Sequence, residues 1–124
     1  MPMRASEWRE DAIGWIKGHA ANLPPDSRDR WTAIRPTDQA CETAVQAIKV
    51  LGPDAPAPSA LLVTPVQGIE IEWRSGDRLL SVQIMPDGSL ESLKSVGGEP
   101  IQEDRLFEPD WRVHSLVTWI KGSA

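Results

Sequence analysis

Tyrosine is absent, phenylalanine occurs once at Phe107, and cysteine occurs once at Cys41. A single thiol excludes an internal disulfide framework, so the fold must rest on packing and hydrogen bonds. No apolar run approaches the ~20 residues that a membrane-spanning helix needs, and Met1-Pro2-Met3-Arg4-Ala5 lacks the apolar core of a signal peptide. The expected compartment is the cytoplasm, with no membrane partner. Basic residues are outnumbered, 13 Lys and Arg against 18 Asp and Glu for a net charge of −5, and they are scattered. A phosphate-tracking basic stripe is therefore missing, which argues against nucleic acid as a partner. There is no Gly-rich phosphate loop and no nucleophile elbow. Asp87-Gly88 reads as a turn, since the ligand positions of a calcium loop do not follow it.

What the chain does have is tryptophan: six in 124 residues. Indoles combine a large apolar body with one N–H donor, so they should supply much of the core and some could sit at an interface. The most ordered pattern is Ile69-Glu70-Ile71-Glu72-Trp73-Arg74, which alternates apolar and charged residues with a period of two. Ser75-Gly76-Asp77 makes a turn, and Leu80, Val82 and Ile84 alternate again beyond it. Pairing Trp73 with Leu80, Ile71 with Val82 and Ile69 with Ile84 places all six apolar side chains on one side, a self-consistent antiparallel hairpin.

The 124 residues form one expected domain. Residues 6–23 read as a first helix, with Ser6 as N-cap, Trp8, Ala12, Trp15, Ile16 and His19 at helical spacing, and Pro24-Pro25 beyond its end. Gly14 and Gly18 would be destabilising there unless a neighbour packs closely against them, and close packing is the expectation. Residues 26–35 read as a connection in which Trp31 tucks onto the core. Residues 37–51 form a second helix, capped by Thr37, with Cys41, Ala44, Val45, Ile48 and Leu51 on its buried stripe and Gly52-Pro53 as its stop. The proline-rich run 53–59 should be a stiff extended spacer. Residues 60–95 then build an antiparallel sheet, in whose last strand Leu90 and Leu93 cannot share a face. Residues 96–110, rich in Gly and acid, read as an ordered surface loop anchored by Leu106 and Phe107. A final helix at 110–121 is capped by Asp110, and Val113, Leu116, Val117 and Ile120 line one side of it. The fold class is thus α+β: a three- to four-stranded antiparallel meander with about three helices packed on one face. Trp15-Ile16-Lys17-Gly18 returns as Trp119-Ile120-Lys121-Gly122, an echo without the sustained period of a repeat.

Chemical candidates are few. Cys41 near the start of a helix could be a nucleophile, but its spacing puts it on the apolar stripe. His19 and His114 share no ligand-type spacing with each other or with Cys41, so no metal or other cofactor is expected. Glu70 and Glu72 project together from one strand, as paired carboxylates for acid–base work or as a solvated face completed by Arg74.

Pro65-Val66-Gln67-Gly68-Ile69-Glu70-Ile71-Glu72-Trp73, followed by Leu80-Ser81-Val82-Gln83-Ile84-Met85-Pro86-Asp87-Gly88-Ser89, resembles small prokaryotic proteins of uncharacterised function. Those carry a Gly-Gly-Ile-x-Leu-Glu-Trp strand, then a Leu-x-Ile-x-Ile-x-x-Asp-Gly strand and turn, after a helical region and a Pro-rich spacer. Gln67 replaces the first Gly of the doublet and Ile71 the Leu. The resemblance covers residues 31–93 and implies this hairpin architecture and an accessory protein, sometimes linked to mobile or toxin-like loci. It implies no catalytic residue.

The leading expectation is a non-enzymatic protein-binding module such as an antitoxin, immunity protein or accessory subunit, with a basic protein partner and homo-oligomerisation left open. The candidate partner-binding residues are Glu70, Glu72 and Arg74 on the sheet, and Glu103, Asp104 and Glu108 in the acidic stretch. Trp8 and Trp119 on the terminal helices are the fallback surface. The alternative is a small enzyme using Cys41 or a histidine with a carboxylate.

Overall fold

A computed structural model of the chain describes residues 8–24, 34–51 and 55–121. The expected Ser6 cap, Trp31, the Gly52-Pro53 stop and Gly122 lie outside these residues. The described chain runs helix α1 (Trp8–Gly18), a 3-10 turn (Ala20–Asn22), helix α2 (Asp38–Lys49), strands β1 (Ala60–Val63), β2 (Ile69–Ser75), β3 (Arg78–Ile84), β4 (Leu90–Val96) and β5 (Glu99–Leu106), and helix α3 (Trp111–Ile120). The class is α+β, and the five strands form one antiparallel sheet in sequence order.

The central hairpin has the register its alternation dictates: Ile69 opposite Ile84, Ile71 opposite Val82, Trp73 opposite Leu80. All six are buried. β4 follows without a break opposite β3, placing Leu90 in the core beside Ile84 and turning Leu93 to the other side beside Ser81.

The sheet has five strands where three to four were expected, and it reaches Leu106 rather than residue 95. The acidic stretch read as a loop is β5. Gly97 and Gly98 take φ of +58 and +84 and turn the chain back, a left-handed pair that glycine adopts at little cost. β5 then pairs along β4, with one register shift between Lys94 and Ser95. Seven of its eight residues are exposed, only Leu106 being buried. A strand with neither face in the core shows no hydrophobic alternation, and its order comes from the backbone ladder instead.

α1 is shorter than expected. It ends at Gly18, where the Asn22 side-chain amide donates to the Gly18 carbonyl at 3.0 Å, and a 3-10 turn follows. Close packing at its glycines is not found: a Cβ at Gly14 or Gly18 would meet nothing within 4 Å. Both face open space, so nothing offsets their helix cost of about 0.5–1 kcal/mol each. The tight glycine is Gly68, where a Cβ would overlap the Ile84 carbonyl oxygen. Just before it Gln67 takes φ +63, the one described non-glycine residue at positive φ.

Two indoles join the helix layer to the sheet. Trp8 and Trp73 meet edge to face, 6.4 Å between ring centroids at 84°. Trp8 Nε1 donates to the Ala55 carbonyl at 3.0 Å and Trp73 Nε1 to the Pro56 carbonyl at 2.9 Å. The proline-rich spacer is thereby pinned at its buried side. α2 is fastened at its other end. Thr37 Oγ1 caps the helix by accepting from the Ala40 amide at 3.1 Å and donates to the Pro86 carbonyl at 2.6 Å. Thr43 Oγ1 donates to the Gly88 carbonyl at 2.9 Å, so the β3–β4 turn is tied to α2. α3 packs with Val113, Leu116, Val117 and Ile120 buried in the same core.

Candidate functional site

Because side chains alternate along a strand, the register assigns every residue of the meander to one side. The described helices pack on the side of Ile71, Val82 and Leu80. The opposite side has no described helix over it, which an antiparallel sheet tolerates when that face is polar. One transverse row there runs Leu62, Glu70, Gln83, Glu91, Arg105, and the next runs Ala60, Glu72, Ser81, Leu93, Glu103. Arg74 lies beside Leu79 in a third.

Four carboxylates, Glu70, Glu72, Glu91 and Glu103, thus share a surface with two guanidinium groups, Arg74 and Arg105. Within it Glu70 Oε1 accepts from Ser81 Oγ at 3.0 Å and Gln83 Nε2 at 3.2 Å. These bonds orient one carboxylate over the middle of the sheet. A depression of about 440 Å³ opens between β3, β4 and β5, lined by Ser81, Gln83, Glu91, Leu93, Glu103 and Arg105 among others. Leu62, 47% exposed, and Ile101, 55% exposed, lie towards the two edges of the sheet. An acidic, hydrogen-bonding hollow between apolar margins suits a ligand that brings cations and some apolar surface.

The sequence-derived residues divide accordingly. Glu70, Glu72, Arg74 and Glu103 come together on one face. Asp104 is on the other side of β5, opposite Ser92, and is exposed. Glu108 is exposed beyond the strand, before α3. Glu91 and Arg105 were missed. Their signal was parity: once Leu90 is assigned to the core, Glu91 must face away, across from Gln83 on one side and Arg105 on the other. Of the expected Leu-Phe anchor, Leu106 is buried but Phe107 is 78% exposed. Trp8 is not an available surface, being 1% exposed. Trp119 is partly buried, with Arg78 and Lys94 each over its ring at 5.2 and 5.3 Å.

The chemical alternatives gain little from the geometry. Cys41 is half-buried, beside the apolar cleft between α1 and α2 that Ile16, Ala21 and Val45 also line. Burial pushes its thiol pKa up, and the Asp38 carboxylate adds to this, the opposite of nucleophile activation. His19 is exposed and lies against Trp15, 5.6 Å between ring centroids. His114 is exposed on α3. Among the described residues no three His, Cys, Asp or Glu side chains are grouped as metal ligands, and no helix is long and apolar enough to cross a membrane.

Asp87 and Asp110 serve local structure. Asp87 accepts from the hydroxyl and amide of Ser89 at 2.6 and 2.9 Å, and these bonds, the hydroxyl first, hold its carboxyl below the usual range. Asp110 caps α3 and binds the Arg112 guanidinium through both oxygens, at 3.0 and 2.8 Å, which lowers its pKa in the same way.

Compared with protein-family models, curated proteins and solved structures, the chain finds no match in any of the three.

Proposed function

We propose that this chain is a protein-binding module without catalytic activity, of the antitoxin, immunity or accessory-subunit kind, and that it docks a basic protein through the sheet face that has no described helix over it. The observation carrying the reading is the gathering of Glu70, Glu72, Glu91 and Glu103 from three strands onto that face. Distributed carboxylates on a rigid ladder accelerate encounter with a cationic surface and make its rate salt-dependent. The net charge of −5 acts in the same direction. The resemblance of the central hairpin to prokaryotic accessory proteins adds support.

The test is charge reversal on purified protein. A partner captured from the native host at low salt should bind Glu70→Lys/Glu72→Lys at least tenfold more weakly than the parent, with circular dichroism unchanged. Raising the salt should weaken the parent's binding. A partner that binds parent and variant equally, at low and high salt alike, would remove the sheet face from consideration.

A further inference from the structure

β5 is the last strand of the sheet, with β4 on one side and no described strand on the other. It is eight residues long against four for β1 at the opposite edge. Over residues 102–106, beyond Pro100 with its missing N–H and the register shift beside it, this edge presents a row of backbone donors and acceptors able to accept another strand. Natural edges are commonly blunted by charge, and Glu99, Glu103 and Asp104 do oppose self-pairing. Yet this edge also bears Ile101, 55% exposed, and Phe107, 78% exposed just past its end. They lie six residues apart, about 20 Å along an extended chain, with the consecutive acids Glu103 and Asp104 between them.

We propose that β5 is a strand-addition site: an extended segment of a partner protein pairs with its outer edge, bringing two consecutive basic residues opposite Glu103 and Asp104 and apolar residues towards Ile101 and Phe107. Glu103 and Asp104 point to opposite sides of the sheet, and consecutive residues of an added strand do likewise. Two adjacent basic residues can therefore meet both carboxylates at once, whereas a helix or a compact basic surface reaches only one side. In strand addition the ladder supplies affinity and the flanking side chains supply choice. This rests on the binding-module reading and specifies the partner's segment; Glu103, shared with the acidic face, joins the two surfaces.

A capped octapeptide, Thr-Val-Thr-Lys-Arg-Thr-Val-Thr, serves as the probe against the full chain. Saturable binding should slow amide exchange within residues 99–106, measured by NMR, and leave β2 exchange as it was. Two further peptides carry N-methyl groups on alternate residues, one along each edge; both keep the charges, and the one whose methylated edge faces β5 loses the ladder and should bind at least tenfold more weakly, the other as the parent peptide does. Glu103→Lys/Asp104→Lys should do the same and be rescued by a peptide with Glu-Asp in place of Lys-Arg. No saturable binding, equal binding of both N-methylated forms, or exchange protection away from β5 each overturns the inference. A protein partner that needs Glu70 and Glu72 but leaves the β5 amides unprotected overturns strand addition alone and keeps the binding-module reading.

Discussion

Trp73→Ala is the perturbation that asks most of the fold. The side chain is 2% exposed, touches the Trp8 ring edge to face and donates to the Pro56 carbonyl. Truncating a buried Trp to Ala ordinarily costs about 3–5 kcal/mol through lost transfer energy and the cavity left behind. The aromatic pair contributes about 0.5–1.5 kcal/mol beyond area, and the indole hydrogen bond a net of about 0.5–1.5 kcal/mol. We expect a total near the upper half of the truncation range, since the site is closed by α1 on one side and the spacer on the other. Domains of this size hold about 5–15 kcal/mol in all, so the variant should lose about a quarter or more of its stability. Urea unfolding followed by far-UV circular dichroism measures this without relying on the indole that was removed. Trp73→Phe keeps most of the apolar volume, drops the hydrogen bond, and should cost less than half as much. A double-mutant cycle of Trp73→Leu with Trp8→Leu, which removes each ring in turn, should expose a coupling of about 0.5–1.5 kcal/mol. A loss below about 1 kcal/mol for Trp73→Ala, outside the range of buried aromatics, would mean that the ring does not pack where the hairpin register puts it.

Three smaller perturbations follow from local geometry. Gln67 sits at φ +63, where a side chain is strained by about 1 kcal/mol and glycine is not, so Gln67→Gly should raise the urea midpoint; a lower midpoint would refute the strain. Cys41, its thiol pKa raised by burial, should react with iodoacetamide more slowly at pH 7.5 than a thiol in the urea-unfolded chain, and faster reaction would revive the nucleophile. The Asp87 carboxyl is lowered by Ser89 in the fold. Its bonds therefore stabilise fully above the unfolded value of about 3.9 and are lost as pH falls through the lower folded value. Parent and Asp87→Ala should differ in thermal midpoint at pH 7 and converge in acid, and a gap that widens in acid would contradict the assignment.

The hairpin was legible because both strands are half-buried, and half-burial prints a period of two in the residues. Helix stripes were legible for the same reason at a period near 3.6. β5 was not, because Glu99–Leu106 buries only its last residue and a backbone ladder leaves no trace in side-chain type. Its one clue was Gly97-Gly98, a turn signal with no apolar strand behind it. The candidate site inherits this split. Glu70, Glu72 and Arg74 could be placed from their own strand, whereas Glu103 joins them only through the pairing of β4 and β5, which runs in one register from Leu90 to Lys94. Asp104, its neighbour in sequence, falls on the other side by parity alone. Gly14 and Gly18 misled in a different way. Helical spacing suggests a packing surface, but spacing cannot say whether a partner is present.

The bond from Trp8 to Ala55 spans 47 residues, whereas every strand of the sheet pairs with the next one along the chain. These two kinds of contact should form at different times. A meander can zip hairpin by hairpin, each closing a short loop. α1 packs chiefly on α2 and meets the sheet through Trp8, so the two helices dock on Trp73 and the spacer as a pair, and that docking pays a long loop closure against a largely finished surface. Amides of β2 and β3 should therefore gain protection early in refolding, and those of the α1–α2 pair last. At equilibrium the same order runs backwards, with the α1–α2 pair as the first cooperative unit to open under mild denaturant while the hairpin core stays closed.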